Sequence, residues 1–144
     1  MMPLSRVFEW LSYSEKYKFH NFISLVTKKG TLKFDNGFSI KLNRNNFRSI
    51  LGLYYFCLKY GVEIRNEAGY WGYQNGVLTT PDGLNFSIDG FDPSIFFETF
   101  INDYHFIYPD LSDKIILNAG GFVGETALYY ASKGGIVYSF EPDI

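Results

Sequence analysis

The 144-residue chain is 47 % hydrophobic and 20 % aromatic, with 15 Phe and 12 Tyr, which supplies a packed core and favours a globular body over disorder. Its length sets a one-domain prior, and a net charge of −2 gives no overall positive field for nucleic acid or an anionic membrane. The single cysteine, Cys57, rules out an intramolecular disulfide and fits a reduced, cytoplasmic setting.

The first residues show no basic start followed by an apolar run, so no signal peptide is read there. Nothing approaches the ~20 apolar residues of a membrane span. Leu4, Val7, Phe8 and Leu11 recur at helical spacing, as do Tyr17, Phe22, Ile23 and Val26 after Ser14, a possible cap. One or two amphipathic helices are expected, ending near Lys28–Gly30, with the apolar residues packed inward. Leu32 and Phe34 then alternate with polar residues, as do Phe38, Ile40 and Leu42. Asn36–Gly37 between them signals a β-hairpin.

Asn43 to Asn46 are candidate caps for a helix carrying Phe47, Ile50, Leu51, Tyr54, Cys57 and Leu58, ended by Gly61. Cys57 lies on the apolar stripe, which points to a buried, inert thiol. Glycines at 69, 72, 76 and 83 and Pro81 punctuate the next stretch, and short strands are expected at Val62–Ile64, Val77–Thr79 and Leu84–Ile88. Trp71 and Tyr73 are expected to cover a sheet face. Asp92 and Pro93 then open a helix running to about Asn102, with Phe91 placed to pack on Phe96. His20 and His105 lie far apart, and no His/Cys/Asp/Glu group has metal-ligand spacing, so no metal is expected.

The most informative stretch is Ile115 to Ile144. Ile115–Leu117 is a short, wholly apolar run, as in a strand buried on both faces. Asn118-Ala119-Gly120-Gly121-Phe122-Val123-Gly124 forms a glycine turn, Glu125–Lys133 reads as a helix, and Ile136–Phe140 as a second strand with Glu141 at its carboxyl end. Glycines bring the backbone close to a ligand, a helix N-terminus offers free N–H groups, and an acid at the next strand tip can take both hydroxyls of a ribose. The pattern predicts a βαβ unit that binds an adenosine-type ligand.

Two ligand classes compete. Ala119 to Gly124 resembles a dinucleotide fingerprint with its first glycine replaced by alanine, which implies NAD or FAD. Leu117 to Ala131, with Lys133–Gly134, Val137 and Phe140-Glu141-Pro142, resembles more closely the FkbM type of class I S-adenosylmethionine-dependent methyltransferases, and Glu98–Phe106 is similar to the approach that precedes that motif. The resemblance covers Glu98 to Ile144. It implies an α/β fold in two parts: an N-terminal α+β accessory region, 1–110, and the start of a Rossmann-like cofactor domain, 111–144, that remains incomplete. It also implies S-adenosylmethionine as cofactor. Gly120, Gly121 and Gly124 would lie against its methionine part, Asn118 near its amino group, Glu141 at the ribose hydroxyls and Pro142 beside the adenine. The chain departs from the family in having Asn118 for an aspartate and Gly121–Phe122 for an Ala-Asn pair. Losing the charge at 118 weakens a contact of about 1.5–3 kcal/mol to about 1 kcal/mol.

The parent of such a chain would methylate a hydroxyl of a small molecule or sugar. The stretch supplies the first two strands of a sheet of about seven, so the 144 residues are expected to be an N-terminal fragment, inactive by itself and without an assignable catalytic residue. A missing C-terminal half or a partner chain would then complete the sheet. Two alternatives stand beside this: a non-catalytic split or degenerate domain, favoured by Asn118 and Phe122, and the start of an NAD- or FAD-binding enzyme. In a truncated methyltransferase sheet Ile115–Leu117 would be an unpaired apolar edge, to be covered by the N-terminal region or a partner chain or else left poorly ordered.

Overall fold

The computed structural model describes residues 16–89 and 92–142. The helix expected around Leu4–Leu11, the Ser14 cap and the packing of Phe91 lie outside those residues. The chain divides into two units, Met1–Phe91 and Asp92–Ile144, of mixed helix and strand with small sheets.

In the first unit, α1 spans Lys18–Thr27 and ends where Lys28 turns left-handed (φ 54°) with its N–H on Ser24 O. Strands β1 (Gly30–Lys33) and β2 (Ser39–Leu42) pair antiparallel, Leu32 opposite Ile40. Their turn runs Phe34 to Gly37, with Gly37 N–H on Phe34 O and Phe34 N–H on Phe38 O, both at 2.9 Å. The hairpin expected at Asn36–Gly37 is there, closed by a three-residue loop with Gly37 left-handed at its end.

The inward face of α1 differs from expectation. Ile23 and Val26 are 46 % and 53 % exposed, while Asn21, Ser24 and Leu25 are buried. The reason is the outer edge of β1, whose backbone groups need partners. Asn21 Oδ1 accepts the Lys33 N–H at 2.9 Å, and its Nδ2 donates to Lys33 O at 2.8 Å and to the Tyr54 hydroxyl at 2.7 Å. Ser24 Oγ donates to Thr31 O at 3.0 Å, and His20 Nε2 lies 2.8 Å from the same oxygen. The polar face of the helix stands in for a missing strand.

Helix α2, Phe47–Tyr60, carries the core: Ile50, Leu53, Tyr54 and Phe56 are fully buried beside Leu32, Ile40 and Leu42. Gly61 ends it in the left-handed conformation, as expected. Asn46 is the capping residue, but its side chain turns back to Asn43, whose N–H it accepts at 2.8 Å. Burial pushes the Cys57 thiol far above its ordinary range, which makes it inert.

A three-stranded antiparallel meander follows: β3 (Gly72–Gln74), β4 (Val77–Thr79) and β5 (Asn85–Ser87). Val62–Ile64 is not a strand. It makes one bridge, Ile64 to Trp71, because the backbone from Arg65 turns and Asn66 takes the Tyr73 N–H with its own side chain. Trp71 is buried edge-on against Phe56, with ring centroids 5.5 Å apart.

The second unit opens with α3, Pro93–Phe96, whose first turn is capped by Asp92 Oδ1 on the Ser94 N–H at 2.8 Å. It continues as a π-helical turn, Phe97–Ile101, which ends at Asn102. Then come β6 (Ile115–Ala119), α4 (Glu125–Ser132) and β7 (Ile136–Phe140). β6 and β7 pair in parallel, Leu117 opposite Tyr138 and Ala119 opposite Phe140.

Burial on both faces of β6 does not hold. Ile115 and Leu117 are 67 % and 73 % exposed, and Ile136, Tyr138 and Phe140 are exposed too, whereas Ile116 and Val137 are half-buried. One helix packs on a two-stranded sheet and covers one face. Among the described residues, no helix is long and apolar enough to cross a membrane.

Candidate functional site

The site lies where β6 and β7 end together. Because the strands are parallel, both carboxyl ends reach the same rim, and the turn into α4 passes over it. Gly120 N–H and Gly121 N–H both donate to Phe140 O, at 2.8 and 3.1 Å, which ties the first part of the turn to the tip of β7. Gly124 N–H donates to Gly121 O at 2.7 Å and Gly124 O accepts from Leu128, so Gly124 starts α4.

The three glycines have different reasons. Gly120 (φ 78°) and Gly124 (φ 87°) sit in the left-handed region, and a Cβ on either would meet no atom within 4 Å. Their backbone borders open space. Gly121 is buried, and a Cβ there would run into the Ser139 hydroxyl. It permits the close approach of turn and strand and leaves no room for a ligand.

Asn118 is half-buried at the end of β6, and its Nδ2 donates to Ser139 Oγ at 3.1 Å. That orientation leaves Oδ1 as an acceptor with no partner among the described residues. Glu141 is half-buried just past β7, and its Oε2 accepts the Phe122 N–H at 2.6 Å. Phe122 itself is left-handed (φ 41°) and exposed. Pro142 follows on the surface. The fold thus brings Asn118, Gly120, Gly121 and Glu141 to one rim, with Gly124 and Pro142 at its margins.

Among the described residues, no side chain caps the N-terminus of α4. Its first residue, Glu125, is buried, and Oε2 has no hydrogen-bond partner among the described residues. Burial raises its pKa above the ordinary value of 4.5. Its own backbone N–H and His105 pull the other way, and Asp92 adds to the rise. The sequence placed Glu125 in the motif without giving it a site role, and only its burial singles it out. Behind the rim, the Tyr129 hydroxyl is hydrogen-bonded to Asp103, its ring meets Phe100 edge-on at 5.9 Å, and Lys133 Nζ lies 4.7 Å above it.

Chemically, the rim offers a carboxylate, a carboxamide oxygen, open glycine backbone and the uncapped start of a helix. Those groups suit a ligand with a diol, an amino group and a polar backbone-facing arm. No protein-family model, curated protein or solved structure matches the chain.

Proposed function

We propose that the second unit binds S-adenosylmethionine and that the chain belongs to a methyltransferase of the FkbM type acting on a hydroxyl of a small molecule or sugar. The observation that carries this reading is the position of Glu141: a carboxylate at the tip of a parallel strand, within hydrogen-bonding reach of a glycine turn that leads into a helix. In a Rossmann-like cofactor domain, an acid there recognises a ribose diol.

The residues present fit the cofactor at several points. Glu141 would accept from the two ribose hydroxyls, the bidentate role that a carboxylate at this strand tip can take. Asn118 Oδ1 would accept from the amino group of the methionine part. Gly120 and Gly124 border open space along which that part would lie. Pro142 would flank the adenine. Gly121 takes a structural role through Ser139. When bound, the cofactor would supply a methyl group on its sulfonium sulfur for transfer to an acceptor hydroxyl oxygen, with S-adenosylhomocysteine leaving as the thioether and the hydroxyl proton passing to solvent. The chain's part in that step is positioning, which is where such enzymes gain much of their rate.

Calorimetric titration with S-adenosylhomocysteine, NAD and FAD tests the reading. Binding of S-adenosylhomocysteine that NAD does not displace, and that Glu141→Gln weakens about tenfold, supports it. Preferential binding of NAD or FAD transfers the site to the dinucleotide class. No binding of any of the three removes the cofactor reading.

A further inference from the structure

The first unit holds a cleft of its own, of about 490 Å³, between β2 and the turn that joins β3 to β4. Its size falls within the roughly 300–1,000 Å³ of small-molecule sites. Its chemistry does not follow the usual apolar lining. Carboxamides of Asn66, Gln74 and Asn75, hydroxyls of Ser39 and Ser49 and the carboxylate of Asp89 face it, with Phe38 and Tyr73 as half-buried rings at the walls.

We propose that this cleft binds a neutral saccharide. The charge balance comes first. Among the described residues, Lys41 and Asp89 are the charged ones lining it and they cancel, so a phosphate or polyanion finds no fork of cations there. What remains is a dense set of neutral donors and acceptors beside one carboxylate. Carboxamides and carboxylates each engage neighbouring hydroxyls in pairs, and pyranose rings present such pairs around their rim. The rings of Phe38 and Tyr73 offer apolar surface for the C–H face of the sugar.

The walls are built rather than loose. Asn43 and Asn46 lock each other: Asn43 Oδ1 accepts from Asn45 and Asn46 at 2.8 and 3.1 Å, and Asn46 Nδ2 donates to Lys41 O at 3.0 Å. Asn66 Oδ1 holds the Tyr73 N–H. Asn75 (φ 51°) and Gly76 (φ 87°) make a two-residue hairpin turn with both residues left-handed, and Gly76 O accepts the Ile88 N–H at 2.9 Å. On this frame the Gln74 and Asn75 carboxamides have no hydrogen-bond partner among the described residues, and Ser49 Oγ reaches Asp89 Oδ1 only at 3.5 Å. Groups that close the structure are satisfied, and groups that line the opening stay available. The inference is independent of the cofactor reading, because it concerns a different unit.

The test is an NMR titration of the full chain with methyl glycosides of glucose, galactose, mannose and rhamnose, with inorganic phosphate as comparator. Saturable shifts at Gln74, Asn75 and Asp89 are expected with at least one glycoside, with Kd on the order of 1 mM. Asp89→Asn should weaken binding about tenfold, the scale of a lost charged hydrogen bond. The pair Gln74→Ala with Asn75→Gly should abolish it, and glycine keeps the left-handed turn so that the spectrum elsewhere stays unchanged. Three results overturn the proposal: no saturable shift with any of the four glycosides, equal or stronger shifts with phosphate, or undiminished glycoside binding by the double variant.

Discussion

Glu141 reaches back across the turn: its Oε2 accepts the backbone N–H of Phe122 at 2.6 Å and so joins the tip of β7 to the middle of the glycine loop. The carboxylate proposed to bind a ribose thereby also shapes the glycine loop. Glu141→Gln keeps an acceptor for Phe122 and should preserve folding, whereas Glu141→Ala should lose about 0.5–1.5 kcal/mol, the net worth of one hydrogen bond. Glu141→Gln should weaken S-adenosylhomocysteine about tenfold and Glu141→Ala at least as much. Urea unfolding beside calorimetry separates the two effects.

Phe122 is a non-glycine residue held at φ 41° with its ring in solvent. It gains little from burial and carries backbone strain. Phe122→Asn, the residue type of the resembled motif, should stabilise the chain by about 0.5–1 kcal/mol because asparagine tolerates this conformation. A lower urea midpoint for the variant would show that the ring has a packing role.

Gly121 is fixed by Ser139. Gly121→Ala places a methyl group against the Ser139 hydroxyl and should cost about 1–3 kcal/mol. Ser139→Ala removes the obstructing oxygen. The double variant should then recover most of the loss, a coupling that a double-mutant cycle measures. Simple additivity would mean that the clash lies elsewhere.

Glu125 gives a pH signature. Its folded-state pKa is raised, chiefly by burial, so the folded state binds its proton more tightly than the unfolded state. This group therefore favours folding below the ordinary value of 4.5 and costs stability as pH rises through the window between that value and the raised one. Glu125→Gln should flatten that fall and leave the variant more stable than the parent at neutral pH. Denaturation midpoints from pH 4 to 8 check the sign.

The exposed faces of β6 and β7 predict uneven protection. Amides of Ile115–Phe140 should exchange far faster than those of β1, β2 and α2, where the core residues are fully buried. Equal protection factors across both regions would sink this expectation.

Much of the architecture was determined by the sequence alone, because its signals are local. Asn36–Gly37 between alternating residues specifies a hairpin, Asp92–Pro93 starts a helix, Gly61 ends one, and the strand–turn–helix–strand order after Lys114 yields the parallel pair. Asn75–Gly76 carries the same kind of turn signal, and with it β3 was readable too. Tertiary structure decided the rest. Ile23 and Val26 of α1 face outward because the edge of β1 needs hydrogen-bond partners, which Asn21 and Ser24 supply beside His20. The division of labour among the glycines depends on Ser139, eighteen residues along the chain from Gly121, as the clamp on Phe122 depends on Glu141. Periodicity tells which residues are apolar. Which of them find a covering surface, and which polar groups find partners, is fixed only when segments distant in sequence meet.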